Sequence, residues 1–243
     1  SGGSRAVELG LITLKGTKSL ANIMFVLGLL TASGILYFSY LNTGSTSNAY
    51  FAAIIALIGV LVGYFYTAKP IRLSSRYGLG ELSIFLSFGP LLTLGSGFAI
   101  AGESIIPYST EFYNLLILGI PIGLLTTNIL FINQYPDYTS DKKVGKNHLV
   151  VLLGKKASRW IYALNSAIAV GSLYYISENI LNETQSSLFL YVLIPITMIY
   201  SYYLINGLFK YYNSRKLIKY NIHTIYFHMF FSSIYMIILA NFQ

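Results

Sequence analysis

Three oxygen-bearing side chains recur at every fourth position in Asn133–Lys146, which has the sequence N-Q-Y-P-D-Y-T-S-D-K-K-V-G-K. On a helix each step of four residues advances the angle by about 40°, so Asn133, Asp137 and Asp141 would share one stripe. Carboxylate and amide oxygens suit a hard cation such as Mg²⁺, which also takes phosphate oxygens. The spacing therefore predicts that these three residues are metal ligands.

Three lysines follow this acidic stripe at once, at positions 142, 143 and 146. Positive side chains beside a metal ion suit a polyanion that the metal bridges. Pro136 interrupts the stretch, and because proline cannot donate a hydrogen bond inside a helix, it predicts a kink or a helix end there. A solvated loop that carries a few charges is the alternative interpretation. Only 8 acidic residues occur in the chain, however, and two of them are in this stripe.

The rest of the chain is strongly apolar. Its 243 residues are 55% hydrophobic and 10% charged, with a mean hydropathy of +0.62, which is typical of polytopic membrane proteins. A membrane span needs about 20 apolar residues. The predicted fold is therefore an all-α bundle, a single domain over residues 1–243, with seven spans: Leu20–Leu41, Tyr50–Thr67, Leu82–Ala101, Tyr113–Ile132, Trp160–Ile180, Leu188–Ile205 and His223–Asn241.

The basic residues divide cleanly between the two sides that these spans define. All 16 Lys and Arg fall on one side, in residues 1–19, 68–81, 133–159 and 206–222. By the positive-inside rule that side is cytoplasmic, so residues 133–159 are predicted to form a cytoplasmic active-site loop. The predicted location is the cell membrane. Glycines 28, 34, 59 and 63 are expected to allow close packing of the first two spans.

Composition also excludes several classes of site. The chain contains no cysteine, so a disulfide, a thiolate metal site and a cysteine nucleophile are excluded within it. No nucleic-acid-binding motif is present. The net charge of +8 is therefore expected to face lipid headgroups and substrate phosphate, not a nucleic acid.

Two segments carry a family resemblance. The segment N-Q-Y-P-D-Y-T-S-D-K-K-V-G-K-N-H-L-V-V-L-L-G resembles the second aspartate-rich motif of the UbiA superfamily of intramembrane prenyltransferases. Its P-D, D, G-K and L-V-V-x-L-G features are closest to the MenA-like branch, which prenylates dihydroxynaphthoate. Within Tyr77–Gly97, G-L-G-E followed by F-G-P is similar to the same branch.

The resemblance implies that this chain is incomplete at its N-terminus. The family has nine spans and a first aspartate-rich motif on its second helix, whereas seven spans and one motif are found here. The opening segment, G-G-S-R-A-V-E-L-G-L-I, resembles the loop that follows the first motif in the family. With half of the metal site missing, the chain alone is expected to be inactive.

The resemblance also implies a reaction and its residues. The expected reaction is Mg²⁺-dependent transfer of a polyprenyl group from its diphosphate to an aromatic, quinone-precursor acceptor. Asp137 and Asp141 would hold the metal with help from Asn133, and Tyr66 would face the active cavity. Diphosphate contacts are expected from Arg5, Lys69, Arg72, Lys142 and Lys146. Arg72 is preferred to Lys69, because a guanidinium binds phosphate oxygens in a fork.

Other functions stay open on the sequence alone. One alternative is a catalytically silent UbiA-like subunit of a larger membrane complex, and another is an enzyme of the family that uses 4-hydroxybenzoate or a glycerol-phosphate lipid. A transporter is a weaker alternative, because transporters place charges near mid-membrane, and here they gather at one face.

Overall fold

In a computed structural model, residues 6–7, 9–44, 46–101 and 105–240 are described. These residues form nine α-helices, one 3₁₀ turn and one π-helical turn, and no strand occurs among them. The α-helices are α1 Leu14–Thr43, α2 Thr46–Thr67, α3 Leu79–Phe88, α4 Pro90–Ile100, α5 Thr110–Lys143, α6 Leu149–Asn179, α7 Glu183–Leu188, α8 Ile194–Tyr211 and α9 Leu217–Ala240. The all-α class is thus confirmed.

Each of the seven predicted spans corresponds to a helical rod. Helices α3 and α4 make one rod, and α7 joins α8 through the π turn Phe189–Leu193 to make another. Six rods are long and apolar enough to cross a membrane. The seventh, α6, has 31 residues, and Lys155, Lys156 and Arg159 occupy its first third, so only its later part is free of basic residues.

Local sequence fixes several helix ends. The side chains of Thr13, Ser109 and Asn182 each accept a hydrogen bond from the backbone N–H three residues later, which caps α1, α5 and α7. Gly44 ends α1 with a left-handed φ of 61°, a conformation that glycine adopts without steric cost. The helices therefore extend beyond the apolar runs that predicted them.

Pro90 lies inside the predicted span Leu82–Ala101, where a proline predicts a kink, and the break between α3 and α4 confirms it. Gly89 separates α3 from α4 and packs directly on α5, where a Cβ on Gly119 would lie 2.5 Å from the carbonyl carbon of Gly89. A Cβ on Gly123 would lie equally close to the carbonyl oxygen of Phe85. Backbone therefore meets backbone at this crossing, which requires the small-residue spacing G-x-x-x-G.

The expected close packing through the hairpin glycines is wrong. A Cβ added to Gly28, Gly34, Gly59 or Gly63 would meet nothing within 4 Å. These glycines lie on open faces of α1 and α2. A glycine in a membrane helix therefore does not by itself identify a helix crossing.

Two predictions about residues 133–159 are corrected. This segment is not a loop, because α5 runs to Lys143 and α6 begins at Leu149, which leaves only residues 144–148 between them. Nor does Pro136 end the helix: both Pro121 and Pro136 lie inside α5. Pro121 is buried among neighbouring helices, which can compensate for the hydrogen bond that a proline removes, whereas Pro136 is exposed near the end of α5.

Most of the buried core belongs to the second half of the chain. One cluster is made by α5, α6, α8 and α9 with the π turn, and its buried members lie between Leu124 and Ile238. A much smaller cluster has Ala52, Leu94 and Phe98 as its buried members. Polar bonds cross the larger core: the Asn128 amide donates to the Tyr162 carbonyl at 3.2 Å.

Candidate functional site

The predicted metal ligands lie on successive turns at the end of α5, in different environments. Asn133 is exposed, and its side-chain oxygen accepts a hydrogen bond from the Asn221 amide of α9. Asp137 is half-buried, and its carboxylate has no hydrogen-bond or ion-pair partner among the described residues. Asp141 is buried, with 5% of its surface exposed. The stripe therefore contains one available carboxylate and one enclosed carboxylate.

The enclosed carboxylate is held by two basic side chains from the turn after α5. Asp141 Oδ1 lies 2.9 Å from Lys146 Nζ, and Oδ2 lies 3.2 Å from His148 Nε2. His148 also caps α6, because its Nδ1 accepts the backbone N–H of Val151 at 3.4 Å. With Nδ1 as the acceptor, the ring proton belongs on Nε2, which donates to Asp141.

Sequence reasoning missed this role of His148, because a lone histidine near a membrane surface predicts only an interfacial hydrogen-bond donor. It does donate, but it is buried, with 2% of its surface exposed. The partners are seven positions apart and meet only because residues 144–148 turn back beneath the end of α5. No helical or strand periodicity signals such a pair. A histidine at the N-cap position of α6 was the one available sign.

A second loop is joined to this turn by backbone hydrogen bonds. The Tyr77 N–H donates to the Asn147 carbonyl at 2.8 Å, and the Asn147 N–H donates to the Ser75 carbonyl at 3.0 Å. Arg76 braces the same loop by donating to the Pro70 carbonyl at 2.7 Å. The loop of residues 68–78 and the turn of residues 144–148 therefore form one surface, defined here as the joined face.

The predicted diphosphate contacts lie on or beside the joined face, apart from Arg5, which lies outside the described residues. Lys69 and Arg72 are exposed in the loop, and no ion pair engages either side chain in the described structure. Lys142 is also exposed, with Nζ 5.9 Å from the centre of the Tyr138 ring. Of the predicted cations that the structure describes, only Lys146 directly contacts one of the predicted carboxylates.

Glu81, at the start of the predicted span Leu82–Ala101, links the two parts of the site, although it is not among the predicted site residues. It is 4% exposed, and its Oε1 accepts both the Gln134 amide and the Leu149 N–H, each at 3.0 Å. A carboxylate buried at the start of a membrane span is costly unless it meets a partner, and these two donors supply one. The Glu81 side chain thus joins α3 to the end of α5 and the start of α6. Gln134 is a further residue of the site that the sequence analysis did not identify.

Tyr66 lines a cavity, as the family resemblance implied. The cavity has a volume of about 480 Å³ and lies between α2 and α3, with Ser83 and Ser87 among otherwise mainly apolar walls. A second apolar cavity, of about 350 Å³, shares Ser87 with it and extends to Ala52. From Tyr66 to Ala52 is about 21 Å along a helix. Together the two cavities therefore form an apolar groove that extends through most of the thickness of a membrane.

The donor set fits Mg²⁺ in part. Mg²⁺ is usually held by one or two carboxylates together with substrate phosphates and water. Asp137 meets that requirement, whereas both oxygens of Asp141 are already engaged by Lys146 and His148 in this conformation. No group of three or more His, Cys, Asp or Glu residues is placed to share a metal ion in the described ranges. A metal site built from this chain would therefore depend on phosphate oxygens for its remaining ligands.

A bundle of apolar helices with acidic and basic side chains gathered at one end defines a polytopic membrane protein with a polar site at the membrane surface. The chain belongs to the UbiA prenyltransferase family, whose model matches residues 4–234. The predicted resemblance is thereby confirmed.

Individual relatives carry the names of naphthoate and naphthoquinone prenyltransferases. The chain is 31% identical over 125 residues to the 1,4-dihydroxy-2-naphthoate octaprenyltransferase of Bacillus subtilis, covering 51% of this chain and 37% of the relative. It is 34% identical over 126 residues to the 2-carboxy-1,4-naphthoquinone phytyltransferase of Synechocystis, with the same two coverages.

A longer match is to the 1,4-dihydroxy-2-naphthoate octaprenyltransferase of Haemophilus influenzae, at 26% identity over 189 residues, 78% of this chain and 57% of the relative. The chain thus spans between 37% and 57% of the length of these three relatives. No solved structure gave a significant match.

Proposed function

We propose that this chain is the part of a membrane prenyltransferase that binds polyprenyl diphosphate and helps transfer its polyprenyl group to an aromatic acceptor. The observation that carries the proposal is the joined face, where two loops bring Arg72 and Lys146 to the end of the helix that carries Asp137. Membership of the UbiA family supports the same reaction class.

The charges on the joined face suit the departure of diphosphate. As the bond between the allylic carbon and the diphosphate oxygen breaks, negative charge gathers on the leaving group, and fixed positive charges nearby lower the barrier. Lys146 is held in place by Asp141, while Lys69, Arg72 and Lys142 remain available to move onto the phosphates. In the proposed enzyme, Asp137 holds Mg²⁺, which when bound neutralises part of the diphosphate charge.

Asp141 acts in this proposal chiefly by positioning basic side chains. Its two oxygens hold the side chains of Lys146 and His148, so both keep their place when no substrate is bound. If diphosphate draws Lys146 away, one carboxylate oxygen becomes free to join the metal site with Asp137. Asn133, which is hydrogen-bonded to Asn221, completes the stripe as the third predicted ligand.

The apolar groove that begins at Tyr66 suits the polyprenyl chain. An allylic cation survives only where water is excluded, and the faces of aromatic rings stabilise positive charge. Tyr66 stands at the end of α2 next to the loop that carries Lys69 and Arg72. We infer that the reacting carbon lies near Tyr66 while the tail follows α2 into the membrane.

We infer that the acceptor is a hydroxylated fused-ring aromatic. A ring carbon of the acceptor bonds to the allylic carbon as the allylic C–O bond to diphosphate breaks. The ring then regains its aromaticity by losing a proton from that carbon or, where the carbon carries a carboxylate, carbon dioxide. Support comes from the printed names of the relatives, which specify dihydroxynaphthoate and carboxynaphthoquinone. By the positive-inside rule, the joined face would lie on the cytoplasmic side of the cell membrane.

The test is an activity assay on the whole protein, including any sequence that precedes residue 1. Membranes containing it are supplied with geranylgeranyl diphosphate, Mg²⁺ and a panel of naphthoate, benzoate and glycerol-phosphate acceptors. We expect Asp137→Ala to lower the rate by about 10²–10³-fold, the typical cost of losing one charge-stabilising contact. The matched control is Glu178→Ala, an exposed carboxylate at the far end of α6.

Three outcomes are informative. Loss of activity in Asp137→Ala with activity retained in the control supports the proposal. An Asp137→Ala protein that is produced normally and turns over at the parental rate contradicts the assignment of the metal site. Absence of activity in the parental protein with every acceptor would favour the silent membrane subunit instead.

A further inference from the structure

A polar cavity unrelated to the proposed reaction lies near the same end of the bundle. Its volume is about 460 Å³, and it is bounded by the end of α5, the start of α6 and the loop between α8 and α9. Its lining includes the polar residues Lys155, Ser214 and Arg215 and the apolar residues Pro136 and Leu217.

The cavity is positively charged. Lys155 and Arg215 line it, no acidic residue does, and neither cation has an ion-pair partner among the residues that the structure describes. Lys155 Nζ lies 5.5 Å from the centre of the Tyr138 ring, which restrains the side chain but leaves its charge unpaired. Ser214 adds a hydroxyl that accepts the Lys216 N–H and keeps its own hydrogen to donate. Such a set of donors is suited to phosphate.

The walls of the cavity are rigidly built. The guanidinium of Arg159 stacks on Tyr212 and on Phe209, with its carbon 4.4 Å and 4.5 Å from the ring centres, and donates to the Phe209 carbonyl at 2.9 Å. On the opposite wall, the hydroxyls of Tyr135 and Ser158 lie 2.8 Å apart, and Tyr135 is fully buried. The cavity is therefore shaped before any ligand arrives.

Neighbouring aromatic residues indicate its depth in the membrane. Trp160 is 66% exposed and packs edge-on against Phe209 at 4.9 Å. Exposed tryptophan is concentrated at the level of the lipid headgroups. Because Trp160 follows directly on Arg159, the cavity lies at that level, where the phosphates of phospholipids lie.

The cavity faces away from the predicted metal ligands. Successive helical residues are about 100° apart, so Pro136 lies about 100° around α5 from Asp137 and Tyr135 about 200° from it. Neither Asp137 nor Asp141 lines the cavity. A ligand bound here would therefore not be the diphosphate held by those carboxylates.

We propose that this cavity binds the phosphate of an anionic phospholipid. Lys155, Arg215 and Ser214 bind the phosphate, and Pro136 and Leu217 contact the glycerol and the first carbons of the acyl chains. Basic pockets between membrane helices on the cytoplasmic side suit such headgroups. The mixed polar and apolar lining favours a lipid over free phosphate, which would leave the apolar wall without a partner.

The test compares lipids on the purified protein in detergent. Thermal unfolding is followed while phosphatidylglycerol, phosphatidylcholine or inorganic phosphate is added. The variant Lys155→Gln/Arg215→Gln removes both cations, and the matched control Lys156→Gln/Lys219→Gln removes two exposed lysines that do not line the cavity. We expect phosphatidylglycerol to stabilise the parental and control proteins, and its apparent affinity to fall at least about tenfold in the cavity variant.

Several results would overturn the proposal. Equal responses of the cavity variant and the control to phosphatidylglycerol would do so, as would equal protection by phosphatidylcholine. Protection by inorganic phosphate as strong as that by phosphatidylglycerol would replace the lipid by free phosphate. Should the cavity variant fail to fold, native mass spectrometry of the parental protein in an equimolar mixture of the two lipids decides. We expect more phosphatidylglycerol than phosphatidylcholine to remain bound to the protein, and equal amounts of the two would contradict the proposed lipid site.

Discussion

The hairpin of α1 and α2 and the bundle of α5, α6, α8 and α9 are both built from apolar helices, yet they use their surfaces differently. No residue in the most apolar stretch of α1 is buried, and 6% of that of α2 is, against half of that of α5. In the hairpin, the hydroxyls of Thr31 and Ser33 donate to carbonyls of their own helix. In the bundle, the Asn128 amide donates to Ser166 of another helix at 3.0 Å.

This contrast shows what apolar composition does and does not determine. Apolar length predicts that a segment crosses the membrane, because every backbone polar group must be bonded within it. It does not predict whether lipid or protein covers the segment, since lipid tails and leucine side chains are similarly apolar. Specific contacts, such as glycine crossings and polar bonds between helices, decide that. The proposed active site lies where the two regions meet.

The largest expected effect comes from disrupting the contact between the backbone of α5 and Gly89, the residue that separates α3 from α4. Gly119→Ala places a Cβ 2.5 Å from the Gly89 carbonyl carbon, and because both groups are backbone, the helices must move apart. We expect a loss of about 3 kcal/mol in the free energy of unfolding and a reduced yield of folded protein. Unfolding in detergent, followed by circular dichroism, measures this.

The matched control for that variant is Gly171→Ala in α6, where the new Cβ meets nothing within 4 Å. It is expected to leave stability unchanged or to raise it slightly, since alanine favours a helix more than glycine does. Equal losses in both variants would show that the crossing does not depend on glycine.

A smaller effect is expected from breaking the contact that joins α3 to the end of α5 and the start of α6. Glu81→Ala removes the acceptor for the Gln134 amide and the Leu149 N–H, leaving two donors unpaired. We expect about 2 kcal/mol of lost stability. Glu81→Gln keeps an oxygen at that position and should lose less. The two variants can be ranked by thermal unfolding, and a Glu81→Ala protein as stable as its parent would contradict the link.

The smallest effects compare the hairpin with the bundle directly, through one substitution in each. Asn128→Ala removes amide bonds to the Tyr162 carbonyl and to Ser166, and we expect a loss of about 1 kcal/mol, because hydrogen bonds between membrane helices are individually weak. Thr31→Ala removes a bond within one helix and should change stability by less than about 0.5 kcal/mol. The stabilities of both variants are compared by unfolding them under the same condition. A larger loss of stability in Thr31→Ala than in Asn128→Ala would contradict the contrast between hairpin and bundle.

Much of this architecture was predictable from the sequence, for a simple physical reason. Long apolar runs become helices in a membrane regardless of their neighbours, so all seven segments appear as helices. Pro136 misled the prediction although it is exposed: the buried residues just before it, Gln134 and Tyr135, are hydrogen-bonded to Glu81 and Ser158, and a sequence window does not show such contacts. The ends of the helices were also misplaced, since charged residues such as Lys143 and Lys155 continue a helix beyond the apolar core.

The candidate site was predictable in part. Regular spacing identified Asp137 and Asp141, and the family resemblance pointed to Tyr66. Pairs formed across turns had no such signal: Asp141 with His148, and Glu81 with Gln134, depend on how three segments fold back on one another. Sequence periodicity describes residues within one helix or strand, whereas these contacts join residues of different elements.

The central claim is that the joined face binds prenyl diphosphate through Asp137 and Mg²⁺. The most direct measurement is the affinity of the whole protein for an unreactive thiodiphosphate analogue of a prenyl diphosphate, titrated with and without Mg²⁺. The account predicts tight binding that requires Mg²⁺ and weakens by about 100-fold in Asp137→Ala. Binding that is equally tight without Mg²⁺, or unchanged in Asp137→Ala, would contradict it.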